Sequence, residues 1–346
     1  MSLRWLRALA IVPVLIAGHA YAQSNTAARK LRVGDSFPVG HYLVRYLLQP
    51  WMDQVTRQTN GAITFDYYPA QQLGKASDLL TLTQTGVIDI GYVGPTYVSD
   101  KMPLSEVAQL PGVFLSSCQG TLAYWKLART GVLRDQEFDA NKVHILLTIV
   151  LPPYHILTTN KEIKAKDDVQ GLKLRSTGGA MDLMTRALNA VPVRIAAPDA
   201  YESVSRGTID GLIFPLESVT SYGMDKLMKN ATEGVGFGSF IVTYVISDRL
   251  WKQLPADVQK AMDQAGDAIV PQACAKVDDD TGGAKAKLEA AGVKFTPLDA
   301  TAREGFNEVL KGVAGAWAEQ LDKRGKKASE TLKEFRAAVQ ELPAKQ

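Results

Sequence analysis

Cysteine and histidine are scarce in this sequence, which restricts the metal and redox sites that it can build. The 346 residues include two cysteines and four histidines. No Cys-x-x-Cys pair and no His/Cys cluster with metal-ligand spacing occurs. Cys118 and Cys274 form an even pair that could be bridged in an exported chain, but buried unbridged cysteines are also common. The sequence therefore predicts no metal or cofactor and leaves the bridge open.

The sequence also lacks the signatures of catalytic nucleophiles and phosphate loops. Beyond the N-terminal segment the histidines are His41, His144 and His155. There is no Gly-x-Ser-x-Gly elbow, no His-Glu-x-x-His pair and no Walker loop. Because a hydrolase needs a nucleophile with a base beside it, we expect a protein that binds its ligand without converting it.

A strong charge of either sign is missing as well. The whole chain carries a formal charge of +3, and removal of a leader containing Arg4 and Arg7 leaves +1. Such a balance gives no electrostatic reason to expect nucleic acid or an anionic membrane as a partner.

Long hydrophobic runs are absent outside the N-terminus. Residues 1–22 have the pattern of a secretory signal peptide: a basic start, an apolar run at 9–18 and the small-x-small site Ala20-Tyr21-Ala22. The run is too short to span about 30 Å of hydrocarbon. No cysteine lies near the cleavage site, so we expect a periplasmic protein that is not lipid-anchored.

What the sequence does contain is a regular alternation of strands and helices. Strands are predicted at residues 31–34, 63–67, 87–93, 143–150, 155–159, 171–175, 192–195, 211–214, 241–247 and 292–295. With helices between them, this order favours an α/β fold with parallel sheets covered on both faces. The continuous apolar run at 143–150 is typical of a buried parallel strand. Pro152-Pro153 then interrupts the extended pattern, which predicts a crossing between two lobes.

The C-terminal part is predicted to be helical. Pro255 fits the first turn of a long helix that extends past Asp280. Thr301 and Glu304 have capping-box spacing for the next helix. An amphipathic helix follows from Ser329.

One short pattern occurs twice. Gly86-Val87-Ile88-Asp89 followed by Pro95 resembles Gly207-Thr208-Ile209-Asp210 followed by Pro215. Two ordinary helix-to-strand turns would also explain the match. If each copy ends a strand of a different sheet, the two strand ends face one cleft, because ligands of open α/β sheets bind outside the carboxyl ends of strands.

Arg175 is the strongest candidate for a binding residue. It ends the predicted strand at 171–175, just before Gly178-Gly179 and a predicted helix at 180–190 whose N-terminus would favour an anion. A guanidinium fits a carboxylate with two parallel hydrogen bonds. The alternative is a surface arginine paired with a neighbouring acid.

The motifs together resemble those of TRAP-type (tripartite ATP-independent periplasmic) solute receptors, the DctP family. The first-lobe likeness rests on Asn60-Gly61, Tyr68-Pro69, Leu73-Gly74, residues 84–89 and the stretch from Leu110-Pro111 to Phe114. The second-lobe likeness rests on residues 171–175, Tyr201, Arg206-Gly207, Ile209-Asp210-Gly211, Trp251, Leu254-Pro255 and Gln259. The resemblance implies a two-lobed periplasmic-binding-protein (Venus-flytrap) architecture, with two mixed sheets joined by crossing strands and C-terminal helices. It also implies a monomer that passes a small organic anion to sodium-driven small and large membrane subunits.

The resemblance assigns the lobes and the site. Lobe 1 would comprise residues 23–152 and 241–280, lobe 2 residues 153–240 and 281–325, and a last helix at 326–346 would pack on both. Arg175 matches the family's carboxylate-binding arginine, and His155 stands where many members have a second basic residue. Phe214 stands where many have a ligand-binding asparagine. Gly94 to Thr96 would line the wall of the first lobe, with Phe37 in the loop above.

Two of these positions depart from the family pattern. A neutral His155 demands a second carboxylate less strongly than arginine does, and Phe214 adds an apolar or stacking face. Both favour a monocarboxylate with an apolar or aromatic body over a C4-dicarboxylate. Alternatively, Phe214 packs in the core and His155 bonds the backbone. Glu217 either pairs with Arg175 in the empty protein or is an acid at a helix start.

The function predicted is therefore an extracytoplasmic receptor for a small organic carboxylate. The alternatives are a receptor of an ATP-driven (ABC) importer or a sensor, which keep the fold and change the partner, and, less favoured, a periplasmic hydrolase.

Overall fold

A computed structural model describes residues 28–343 as strands and helices that alternate along most of the chain. The expected signal peptide at 1–22 lies outside the described residues. The strands are β1 (Arg29–Gly34), β2 (Ile63–Tyr68), β3 (Ile90–Val93), β4 (Val143–Val150), β5 (His155–Thr158), β6 (Lys173–Ser176), β7 (Val191–Arg194), β8 (Gly211–Phe214), β9 (Asn230–Glu233), β10 (Ile241–Ser247) and β11 (Lys294–Pro297). The helices are α1 (Gln49–Gln58), α2 (Leu79–Thr85), α3 (Ser117–Thr130), α4 (Ala180–Ala187), α5 (Ala197–Ser205), α6 (Leu216–Val219), α7 (Asp248–Trp251), α8 (Ala256–Ala290), α9 (Ala300–Asp322) and α10 (Ala328–Gln340).

The first lobe is built on a mixed sheet with the strand order β2-β1-β3-β10-β4. β1 is parallel to β2 and β3, whereas β10 is antiparallel to β3 and β4. The prediction that residues 143–150 form a parallel strand is therefore wrong in direction. The continuous apolar run is explained by burial, since seven of the eight residues of β4 are buried although the strand lies at the sheet edge.

The second lobe carries the other sheet, with the order β11-β9-β5-β8-β6-β7. β6 is parallel to β7 and β8, and β5 is antiparallel to β8 and β9. The register pairs Arg175 with Leu212 and His155 with Phe214. Since directly paired residues share a face and side chains alternate along a strand, Arg175, Phe214 and His155 lie on the same face of this sheet. The two-lobed α/β architecture with two mixed sheets is thus confirmed, while the exact lobe boundaries stay a prediction.

Each copy of the repeated pattern leads into a strand in the middle of a sheet. Gly86 and Gly207 have φ of 81° and 67°, the left-handed conformation that favours glycine at a helix end. β3 and β8 follow them and stop before Pro95 and Pro215. The carboxyl ends of these two strands, one in each lobe, therefore carry Gly94 and Phe214.

The C-terminal helices pack on both lobes and on each other: α8 and α10 pack on α3 of the first lobe, and α9 packs on α4 of the second. Pro255 is the N-cap residue of the 35-residue helix α8, one position before the first turn in which it was predicted, and the helix extends past Asp280 as expected. Asp299, not Thr301, caps α9, because its side chain accepts a hydrogen bond from the Ala302 backbone N–H at 2.8 Å. The predicted capping box is therefore wrong: Thr301 already lies inside the helix. None of the helices within 28–343 is both long and apolar enough to cross a membrane.

Cys118 and Cys274 are joined by a disulfide. The bond connects the first turn of α3 to α8, two helices that pack against each other. The question that the sequence left open is thereby answered in favour of the bridge.

A buried carboxylate fixes the connector between β3 and α3. Glu137 is 1% exposed and accepts hydrogen bonds from the Ser105 backbone N–H at 2.9 Å, the Leu104 backbone N–H and the Ser105 hydroxyl. Loss of hydration on burial raises the pKa of Glu137 from 4.5 to about 8, although these bonds oppose the rise.

This carboxyl predicts a pH dependence of stability. Between pH 4.5 and about 8 the folded state holds a proton on Glu137 that the unfolded chain releases, so the free energy of unfolding falls as pH rises through that interval. Glu137→Gln should show a smaller fall between pH 5 and pH 8 than the wild type in urea unfolding. Glu304→Gln, at an exposed position on α9, is the control. An equal fall in wild type and Glu137→Gln would contradict the assignment.

Candidate functional site

Arg175 lies at the carboxyl end of β6 with its guanidinium enclosed by protein. The residue is 1% exposed. Its Nε donates to the carbonyl of Ile195 at 2.9 Å and its Nη1 to that of Ile213 at 3.4 Å. Its Nη2 donates to the hydroxyl of Tyr97 at 3.1 Å. Backbone carbonyls and a hydroxyl thus orient the side chain and leave its charge uncompensated.

Among residues 28–343, no carboxylate forms an ion pair with Arg175. The surface-pair alternative is therefore wrong for the described chain. Glu217 does not pair with it either: it lies in the first turn of α6, and its Oε1 has no hydrogen-bond partner within residues 28–343. A buried cation is costly unless an anion compensates it, so this guanidinium is suited to receiving an anionic group.

The N-terminus of α4 does not contribute to an anion site as expected. The Met181 backbone N–H donates to Gln109 Oε1 at 3.1 Å, and the Ala180 N–H donates to the Glu106 carboxyl. A Cβ on Gly179 would lie 2.2 Å from Glu106 Oε1, and φ there is 55°, so both space and backbone require glycine. Side chains of the first lobe therefore occupy this helix end.

The ring of Phe214 lies beside the guanidinium. The Cζ of Arg175 stands 5.0 Å from the centroid of the Phe214 ring. Tyr222 and Tyr154 pack on the same ring at centroid distances of 5.9 and 6.2 Å. Phe214 is 2% exposed, so it both packs in the core of the second lobe and forms an apolar wall beside Arg175.

Gly94 and Thr96 lie on the first-lobe side, at the end of β3. A Cβ on Gly94 would stand 2.5 Å from the ring of Phe240 and 3.0 Å from the hydroxyl of Tyr92, so only glycine fits between these rings. Thr96 is buried, and its hydroxyl has no hydrogen-bond partner in the described chain. Tyr97 accepts hydrogen bonds from Arg175 and from the Ala197 backbone N–H at 3.1 Å, which connects the two lobes.

Phe37 and His41 form a stacked pair above the end of the first sheet. Their ring centroids are 4.2 Å apart with an interplanar angle of 9°. Asp35 holds the loop by accepting a hydrogen bond from the Phe37 backbone N–H at 3.0 Å. Burial lowers the pKa of His41 to about 3, so the imidazole is neutral and serves as an aromatic face.

His155 is separated from Arg175 by the width of one strand. Phe214 on the intervening β8 stands between them, and Nδ1 of His155 donates to the carbonyl of Thr232 at 2.8 Å. Burial lowers the pKa of His155, which favours the neutral ring. The alternative in which His155 bonds the backbone is therefore correct. His155 also borders a cavity of about 700 Å³, together with Pro152, Pro153 and Asp278.

Several tyrosines at this site were not identified from the sequence. Tyr97 follows the predicted wall residue Thr96, and Tyr154 precedes His155, so adjacency alone could have indicated both. Tyr42 and Tyr222 come from different lobes and meet only through His41, at centroid distances of 4.6 and 5.6 Å. Nothing in their sequence context marks them.

No group of histidine, cysteine, aspartate and glutamate side chains within the described range is arranged to hold a metal ion. The charged group of the site is the buried guanidinium of Arg175, which is surrounded by aromatic rings and hydroxyl groups.

The model of bacterial extracellular solute-binding protein family 7, DctP, matches residues 34–320. The chain belongs to this family. The resemblance inferred from the motifs is thus confirmed, and the DctP family is one of solute-binding receptors.

Relatives of this DctP-family chain cover nearly its whole length. The C4-dicarboxylate-binding periplasmic protein DctP of Rhodobacter capsulatus is 26% identical over 82% of this chain and 84% of its own. A TRAP periplasmic solute-binding protein of Bordetella bronchiseptica, solved with bound (R)- and (S)-mandelate, superposes with a TM-score of 0.82 at 26% identity, covering 91% of this chain and 100% of its own. A TRAP solute-binding protein of Rhodoferax ferrireducens with copurified benzoate gives a TM-score of 0.84 at 25% identity, covering 91% and 98%.

Proposed function

We propose that this protein is the receptor of a TRAP transporter for a small monocarboxylic acid with an aromatic or otherwise apolar body. The observation that carries the proposal is Arg175, a buried guanidinium that is held between two lobes and that no carboxylate of residues 28–343 pairs with. The carboxylate of the ligand supplies the missing negative charge in this geometry.

Two hydroxyl groups supplement the guanidinium in binding the ligand carboxylate. Tyr97 accepts hydrogen bonds from Arg175 and Ala197, so its own proton is available to an incoming oxygen. The unpartnered hydroxyl of Thr96 adds a second donor from the first lobe. Charge-assisted hydrogen bonds of this kind contribute about 1.5–3 kcal/mol each.

The aromatic rings around the guanidinium indicate the chemistry of the rest of the ligand. Phe214, Tyr154 and Tyr222 belong to the second lobe, and Phe37 and His41 to the first. Such walls favour an aromatic ring, which gains from stacked and edge-to-face contacts. The two relatives solved with mandelate and benzoate hold ligands of this class, which supports the proposal.

A C4-dicarboxylate fits the lining less well, although a relative from Rhodobacter capsulatus is named for that ligand. A second carboxylate needs a second cation, and His155 is neutral and bonded to the backbone. An unpaired carboxylate in an apolar site costs several kcal/mol.

Binding is coupled to closure in this proposal. Tyr97 of the first lobe bonds Arg175 and the start of α5 in the second, so lobe closure and completion of the carboxylate site occur together. The chain crossings at residues 152–153, 240–241 and 280–281 serve as hinges. The signal peptide is cleaved, and the closed receptor delivers its ligand in the periplasm to the sodium-coupled small and large TRAP subunits.

Isothermal titration calorimetry of the mature protein tests the ligand class. Benzoate and (R)-mandelate should bind at least about tenfold more tightly than succinate, a difference of about 1.4 kcal/mol or more. Tighter binding of succinate or malate than of either aromatic acid would contradict the proposal.

A further inference from the structure

Glu106 is a buried carboxyl of the first lobe whose hydrogen bonds reach into the second. It lies in the connector between β3 and α3 and is 3% exposed. Trp317 of α9 donates its Nε1–H to Glu106 Oε2 at 3.2 Å, and the Ala180 backbone N–H at the start of α4 donates to the same carboxyl. Because α9 and α4 pack on each other, both donors leave Glu106 if the second lobe moves away from the first.

Gln109 of the same connector adds to this contact. Its Oε1 accepts a hydrogen bond from the Met181 backbone N–H at 3.1 Å, and its Nε2 donates to the hydroxyl of Thr177. Glu106 and Gln109 thus hold residues 177–181, which directly follow β6. Neither is a hydrogen-bond partner of the Arg175 guanidinium, so this contact between the lobes is separate from the carboxylate site.

The hydroxyl of Ser99 connects Glu106 to the wall of the site. Ser99 is a hydrogen-bond partner of Glu106, and its own hydroxyl donates to the carbonyl of Thr96 at 2.9 Å. Since the proton of Ser99 is directed at Thr96, its oxygen can accept a hydrogen bond from Glu106 only when that carboxyl is protonated. A protonated Glu106 therefore satisfies every partner, because it donates to Ser99 and its carbonyl oxygen accepts from α4 and α9.

The charged groups around Glu106 also favour its neutral form. Asp182 on α4 and Glu137 on the first-lobe side of the connector are both acids, and Trp317 is the neutral group that α9 presents. Arg194 is paired with Asp182 at 2.6 Å, and no base within residues 28–343 forms an ion pair with Glu106. Burial raises the pKa of Glu106 from 4.5 to about 7, with a smaller contribution from Asp182.

Resting on the proposed function, we infer that Glu106 is a positioning residue for lobe closure, whose carboxyl holds α4 and α9 against the first lobe and thereby sets the affinity for every ligand alike. Opening of the lobes returns this carboxyl to water and lowers its pKa towards 4.5. Between pH 4.5 and about 7 the closed form therefore holds a proton that the open form releases, so ligand affinity falls as pH rises through that interval.

Calorimetry at pH 5.5 and pH 8 tests the inference with whichever of benzoate, (R)-mandelate and succinate binds the mature protein. The wild type should bind about tenfold more weakly at pH 8 than at pH 5.5. Benzoate and mandelate are ionised at both pH values, so the ligand itself does not cause this fall.

Two substitutions of Glu106 separate proton uptake from simple packing. In Glu106→Gln the amide donates to Ser99 and its oxygen accepts from α4 and α9, as in the protonated acid, so the affinity should be nearly the same at both pH values. Glu106→Ala removes the contact and should bind at least about tenfold more weakly than the wild type at pH 5.5. Neither variant should change the affinity ratio between two ligands. A residue that only filled space would weaken binding in both variants at both pH values.

Glu137→Gln is the matched control. Glu137 is also buried beside the connector, but its hydrogen-bond partners Leu104 and Ser105 belong to the first lobe, so lobe opening leaves them in place. This variant should keep the wild-type fall in affinity between pH 5.5 and pH 8.

The outcomes separate this inference from the proposed function. If an acid binds and its affinity does not change with pH, or if Glu106→Gln keeps the wild-type fall, the role of Glu106 is overturned while the receptor stands. If none of the three acids binds, the proposed ligand class is overturned, and small-angle X-ray scattering of the ligand-free protein decides the role of Glu106. The radius of gyration should then be larger at pH 8 than at pH 5.5, and equal values would overturn the inference.

Discussion

Replacement of Arg175 by alanine is expected to weaken binding of an aromatic monocarboxylate at least about 30-fold, or 2 kcal/mol and more. The side chain is fully enclosed, and no carboxylate within 28–343 pairs with it. In Arg175→Ala the ligand carboxylate would enter a buried site without a counter-charge, where the remaining donors are hydroxyls and backbone groups. The loss of affinity therefore includes the cost of an unpaired buried anion as well as the lost hydrogen bonds.

Calorimetry with benzoate or mandelate measures this effect. Arg175→Lys keeps the charge but not the planar fork, so it should recover only part of the affinity. Arg186→Ala, on the exposed side of α4, should bind like the wild type. Thermal unfolding of each variant shows whether it is folded. An Arg175→Ala protein that folds and binds benzoate with wild-type affinity would exclude Arg175 from the site.

The second large effect concerns the disulfide. A Cys118→Ala/Cys274→Ala double variant should lose about 2–5 kcal/mol of unfolding free energy, because the bond restricts the unfolded chain across a separation of 156 residues. The bond joins α3 to α8, and the two helices also pack against each other, so the variant should still fold.

Urea unfolding with and without dithiothreitol measures this contribution. The reductant should destabilise the wild type to nearly the level of the double variant and should leave the double variant unchanged. Equal unfolding free energies for the oxidised wild type and the double variant would contradict a stabilising role.

The sequence predicted the elements that are buried on both faces best. The bounds of β4, β8 and β10 were obtained to the residue; Lys142 precedes β4, Asp210 and Pro215 flank β8, and Asp248 follows β10. The direction of β4 was predicted wrongly, because burial determines the composition of a strand and not the direction of its neighbour. The start of α9 was also missed: Asp299 and Thr301 are both capping residues, and only the backbone decides between them.

The site was predicted where the chain order places residues at strand ends. Arg175 was predicted from its position at the end of a strand, whereas Phe214 and Gly94 were predicted from the resemblance to the DctP family; their roles in binding stay predictions. Tyr97, Tyr42 and Tyr222 were not predicted, because their contacts arise only when loops and helices of two lobes meet. The environment of the α4 N-terminus could not be predicted for the same reason, because Glu106 and Gln109 of the other lobe occupy it.

A crystal structure of the mature protein grown with benzoate tests the central claim most directly. We expect the carboxylate to lie within hydrogen-bonding distance of the Arg175 guanidinium and the Tyr97 hydroxyl, with the ring against Phe214. Benzoate bound with its carboxylate on His155, or outside the space between the lobes, would contradict the account.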